Sequence, residues 1–125
     1  MSTRATYLFT NNLMAAEDIC VYIHHDGYPT GAAEYFRKAL FIAKTDRRPI
    51  LEAFIAANTG AQITRSHQTH GDTDYRYTID RKDVLVQKRI SNFSEEHGFD
   101  NYWETIYSGS IDEFIVRNIQ LEFAS

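Results

Sequence analysis

Four of the five histidines of this chain fall in two short stretches, His24-His25-Asp26-Gly27-Tyr28 and Ser66-His67-Gln68-Thr69-His70-Gly71-Asp72. Imidazoles beside carboxylates are the donor set for zinc, manganese, iron or nickel, and a catalytic metal needs about three such ligands with one position left open. The spacing His67-x-x-His70 with Asp72 nearby could supply two or three of them. The same groups, without metal, could act as general acid and base. His24, His25, Asp26, Tyr28, His67, His70 and Asp72 are therefore the candidate cluster. Two features weaken it. An H-x-x-H pair in a loop lacks the helix that places both rings of H-E-x-x-H on one face. His, Asp and Gly also gather in turns for conformational reasons alone, so turn chemistry is the favoured reading.

Three further groups carry potential chemistry. Cys20, the single cysteine, lies between Ile19 and Val21, where a thiol behaves as a small hydrophobe and no internal disulfide can form. Tyr75, Arg76 and Tyr77, with Arg65, Lys88 and Arg89, resemble an aromatic and basic surface for single-stranded nucleic acid. Alternation puts the two tyrosines on one face and Arg76 on the other, which favours tyrosines packed under helices and a solvated basic face. The acidic residues Glu95, Glu96, Asp100, Glu104, Asp112, Glu113 and Glu122 are scattered along the last third, so they favour a solvated surface over a dense mimic of phosphates. No Gly-rich phosphate loop, nucleophile elbow or regular zinc-finger spacing is present.

The elements that must position these residues follow from periodicity. Residues 4–10 alternate, with Ala5, Tyr7 and Phe9 on one face. Ile19–His25 is apolar on both faces, as in a strand covered on both sides, and should aim His24 and His25 in opposite directions. Asp26-Gly27 and Pro29 turn the chain into a helix capped by Thr30 and running to about Lys44. Its inner face is Ala32, Tyr35, Phe36, Ala39, Leu40 and Ala43. A second helix starts at Pro49 and ends near Asn58, with Leu51, Phe54 and Ile55 inward. Strands follow at 61–65, 74–79, 84–90 and 102–108, the last with Trp103, Thr105 and Tyr107 on one face. Residues 91–101 read as a polar loop. Ser110 with Glu113 has the form of a capping box opening a short final helix. The expected fold is α+β, one domain over 1–125. It has about six mainly antiparallel strands, two helices after strand 2 and a short C-terminal helix.

At 125 residues, 43% apolar and 24% charged, the chain can bury a real core. A net charge of -4 argues against nucleic-acid binding by bulk charge. The charge is unevenly spread. Residues 35–90 hold eleven of the thirteen Lys and Arg against six acids, and residues 91–125 hold Arg117 against seven acids. The opening MSTRATYLFTNN lacks the apolar core of a signal peptide, and runs such as Ala39–Ala43 are far too short for a bilayer. A soluble cytoplasmic protein is the expectation.

The stretches STRATYLF, VYIHHDGYPTGAAEYF and SHQTHGDTDYRYTI resemble a family of small uncharacterised proteins of bacteria and of phages or other mobile elements. The resemblance runs from Ser2 to about Phe114, with HHDGYPTGAA as its most specific part. It implies an accessory factor acting on host machinery and carries over no activity, cofactor or site residue. Whether the chain is an enzyme stays open. The leading expectation is a cofactor-free interaction protein that binds a host protein or its own copy, with a homodimer as one form. The alternative is a small hydrolase dependent on a divalent transition metal held by His24 or His25 with His67, His70 and Asp72.

Overall fold

The computed structural model describes residues 3–10, 18–58, 60–69, 72–94 and 98–124, with side chains outside 92–101 and 120–124. The chain order is β1 (Ala5–Thr10), β2 (Ile19–Ile23), α1 (Pro29–Asp46), α2 (Ile50–Ala57), β3 (Gln62–Thr64), a 3-10 turn (His67–Thr69), β4 (Tyr75–Asp80), β5 (Asp83–Ser94), β6 (Gly98–Ser110) and α3 (Ile111–Ala124). The strands form a six-stranded sheet in the order β3-β2-β1-β4-β5-β6. Every neighbouring pair is antiparallel except β1 and β4, which run parallel. The architecture is α+β, with helices after the second strand and at the C-terminal end, as the periodicity predicts.

Alternation decides which residues face the helices. Ala5, Tyr7 and Phe9 of β1, Val21 and Ile23 of β2, Tyr77 and Ile79 of β4, and Val84 and Val86 of β5 are buried in one core. Ala32, Ala33, Phe36 and Ala39 of α1, Leu51, Ala53 and Phe54 of α2, and Ile111 and Phe114 of α3 close that core. The small residues of α1 let its axis approach the sheet, and the larger rings fill what is left. Tyr7 stacks on Tyr77 with centroids 4.8 Å apart and planes 8° from parallel, and Phe54 meets Tyr7 at 4.8 Å.

Several details differ from the periodicity reading, each for a physical reason. The cap of α1 is Tyr28 rather than Thr30, with Pro29 in the first helical turn and no side-chain cap bond. Proline pre-sets the helical φ there, so the helix begins before the threonine. The final helix is not short; α3 runs over 14 residues. The Ser110 half of the expected capping box is present, with the Glu113 amide donating to Ser110 Oγ at 3.1 Å, while the Glu113 carboxylate pairs with Arg117. Residues 91–94 and 98–101 continue β5 and β6 instead of forming a loop, with Phe93 opposite Phe99. Lys88 is the last β5 residue paired with β4, so among the described residues the hairpin beyond it has no third strand alongside, and apolar alternation is not imposed on it.

A bulge between Val86 and Gln87 places Ile106 outside the regular pairing of β5 with β6. It splits the set expected on one face of β6. Tyr107 lies opposite Val86 on the helix side, whereas Thr105 and Trp103 lie opposite Gln87 and Arg89 on the other side. One inserted residue reverses side-chain parity.

Candidate functional site

The HHDGYPTGAA stretch is built as a corner. After β2, Asp26 takes a left-handed conformation with φ 56°, and Gly27 passes over the start of β1, its amide donating to the Thr3 carbonyl at 2.9 Å. A Cβ on Gly27 would stand 2.7 Å from the Ala5 Cβ, and one on Gly31 would stand 2.1 Å from the Asp26 carbonyl oxygen. Both glycines are therefore required by close approach. Three tyrosines pin the corner. Tyr77 donates its hydroxyl to the Gly27 carbonyl at 2.6 Å, Tyr35 donates to the His25 carbonyl at 3.0 Å, and Tyr28 donates to Asp26 Oδ1 at 3.1 Å. Asp26 and Tyr28 bond each other at the surface, and His25 is exposed. Asp26, Gly27, Tyr28 and Gly31 of this motif thus each have a structural role in the corner.

The described part of the second stretch, residues 66–69 and 72, lies on the sheet face that the helices leave open. The chain leaves β3 at one sheet edge and must reach β4 on the far side of β2 and β1. The 3-10 turn on this path inserts His67 onto β1 and β4. His67 Nδ1 is 2.6 Å from Thr6 Oγ1, and its Nε2 is 3.0 Å from Thr78 Oγ1. A neutral imidazole has one donor and one acceptor nitrogen, so one threonine donates and the other accepts. His67 is only 7% exposed. Burial, aided by the nearby positive charge of Arg76, pushes its pKa down to about 4. The ring is neutral at neutral pH.

Asp72, further along the same segment, folds back beside the end of β2. The Tyr22 hydroxyl donates to both of its oxygens, at 3.1 and 3.0 Å, and Arg4 Nε approaches Oδ2 at 3.4 Å. The last is an ionic contact without the direction of a hydrogen bond, since Arg4 Nε has no such partner. Tyr22 in turn meets His24 edge to face, with centroids 4.5 Å apart. The two stretches are thus brought together, through Tyr22: Asp72 and His24 flank one ring. His24 and His25 lie with ring centroids 6.3 Å apart. His70 is outside the described residues.

The chemistry these contacts permit is limited. Both nitrogens of His67 are engaged by threonines, and both oxygens of Asp72 by Tyr22. Among the described residues, no three His, Cys, Asp or Glu side chains converge as a set of metal ligands. A hydroxyl bonded to an imidazole also resembles an activated nucleophile. Thr6, however, is fully buried, and the second nitrogen of His67 ends on another threonine instead of a carboxylate that would orient it. Burial pushes the Cys20 thiol up to about 11, so it stays protonated and acts as the core residue its strand position suggests.

Residues outside the candidate cluster complete this face. The middle row runs Tyr22, Thr6, Arg76, Gln87 and Thr105 across β2, β1, β4, β5 and β6. Arg76 is not the solvated residue that alternation suggests; it is half-buried, with its guanidinium carbon 3.8 Å over the Trp103 ring. Tyr77 is buried between Phe36 and Phe114, so it offers no stacking surface to a base. The signal for Thr6 and Thr78 was their polarity between apolar strand neighbours, and for Trp103 it was hidden by the bulge. Comparison with family models, curated proteins and solved structures finds no match to this chain.

Proposed function

We propose that this protein is a cytoplasmic accessory factor that works by binding a basic host protein along β6 and the adjoining acidic third of the chain. The observation that carries the reading is the outer edge of the sheet. β6 is a 13-residue strand at the end of the strand order, and it exposes Tyr102 at 46% and the bulged Ile106 at 44%. An edge strand offers a row of backbone donors and acceptors to an incoming strand. Charge supports the choice of partner. Residues 91–125 carry seven acids against Arg117, which disfavours two copies meeting here and favours a Lys- and Arg-rich segment. The resemblance to small proteins of bacteria, phages and mobile elements agrees with a host target. No described helix is long and apolar enough to cross a membrane.

A photo-crosslinking residue placed at Ile106, in cells that carry the gene, tests this reading against the same residue placed at exposed Phe41. A discrete adduct with a basic protein, formed from position 106 and lost when salt is raised or when Glu104 and Glu113 become Lys, is the expected result. A stable dimer of the purified protein that Ile106→Lys dissociates would make a second copy the occupant and overturn the host-partner reading. The metal-dependent alternative is favoured by one observation, that Asp72 and His24 both contact Tyr22. A stoichiometric metal in protein purified without a histidine tag, with a chelator-lowered melting temperature, would replace the accessory reading with it.

A further inference from the structure

The polar face of the sheet carries a cation with no anion among the described residues. Arg76 has no carboxylate partner and no hydrogen-bond acceptor among the described residues, although Arg4, Arg37, Arg48, Arg89 and Arg117 each pair with an acid. Its Nε is sealed from solvent and unpartnered. Burial lowers its pKa from the usual guanidinium value, which is the mark of a charge that has lost water without gaining a counter-ion. Its register neighbours, Thr6 and Gln87, are neutral, and the Asp74 carboxylate in the next row pairs with Arg89. His67 is uncharged and the Cys20 thiol is protonated. The Trp103 ring beneath the guanidinium offsets part of the cost. The guanidinium carbon stands 3.8 Å from the ring centroid.

With Nε closed off, the end of the group bearing both Nη atoms remains for a ligand. Two parallel N–H donors in a fixed plane match two oxygens of a carboxylate or phosphate group. We propose that Arg76 anchors a binding site for a small oxyanion, held end-on by the two Nη atoms. The amide of Gln87 and the hydroxyl of Thr105, next in the same row, would supply neutral hydrogen bonds. β6 contributes Trp103 and Thr105 to this site from its face, while strand pairing would use its outer backbone edge, so the site stands whether or not a protein binds along that edge.

Trp103 is the only tryptophan and lies against Arg76, so its fluorescence reports the site directly. The full-length protein is titrated with inorganic phosphate and, separately, with succinate, each against chloride at equal ionic strength. A saturable change in Trp103 emission, with a melting temperature that rises with ligand as binding linkage requires, is the expected result. The anion that saturates at lower concentration identifies the source as phosphate or carboxylate. Arg76→Lys keeps the charge without the fork and should weaken binding about tenfold or more. Arg76→Gln should abolish it, and Arg81→Gln, in the exposed turn between β4 and β5, should leave it unchanged. No saturable response of the unaltered protein to either anion beyond that to chloride overturns the proposal, as does an equal response in Arg76→Gln.

Discussion

The two faces of the sheet are stabilised by different physics. The helix side holds rings and aliphatic groups in one continuous core, with Tyr7, Tyr77, Phe36, Phe54 and Phe114 in mutual contact. The opposite side buries Thr6, His67 and part of Arg76 by hydrogen bonds and ring stacking. Burial of apolar area is non-directional and insensitive to pH. A buried imidazole between two hydroxyls depends on direction and on its protonation state. The comparison teaches that stability of this fold comes mainly from one face, while its response to pH and to ligands belongs to the other.

The largest expected effect strikes the helix face. Phe54→Ala opens a cavity where Tyr7, Phe9, Tyr35 and Phe36 meet and should cost about 3–5 kcal/mol in urea unfolding. Phe41→Ala, on the exposed side of α1, should change stability by less than about 0.5 kcal/mol. Equal losses would mean that the core does not rest on the rings.

The polar face is next. His67 titrates at its ordinary value near 6.5 in the unfolded chain but at about 4 in the fold. The unfolded chain therefore takes up the proton first as pH falls. The stabilisation is complete above about pH 6.5 and is lost progressively toward pH 4, about 2–3 kcal/mol in all. The wild type and His67→Gln should accordingly converge in stability across that window. Parallel curves would show that the imidazole is not buried neutral.

Within the helix face, two stacked tyrosines should respond oppositely. Tyr77→Phe removes a buried hydroxyl that donates to the Gly27 carbonyl and should cost about 1–2 kcal/mol by leaving that oxygen unpaired. Tyr7 has a buried hydroxyl with no partner among the described residues. Tyr7→Phe should be neutral or raise stability by up to about 1 kcal/mol. A loss at Tyr7 comparable to that at Tyr77 would reveal a bound water or ligand at its hydroxyl. The smallest effect is at the start of α3, where Ser110→Ala should cost about 1 kcal/mol by freeing the Glu113 amide, read as a small shift in thermal midpoint.

Local pattern was enough to determine the α+β class, the two helices after the second strand, and the inward faces of β1, β4 and α1. Each is a matter of period, and period is written along the chain at spacings of two or of three and four. The same logic placed Cys20 in the core and Ser110 at a helix start. Tertiary structure alone decided the rest. The parallel pairing of β1 with β4 joins residues far apart in sequence, and on the path between β3 and β4 the 3-10 turn lies on the polar face, where His67 finds Thr6 and Thr78. The bulge at Ile106 moves Trp103 away from the Tyr107 side and places it under Arg76. The two histidine stretches were legible as positions but not as contacts. Register and crossing path depend on which distant strands pair, and no local spacing encodes that choice.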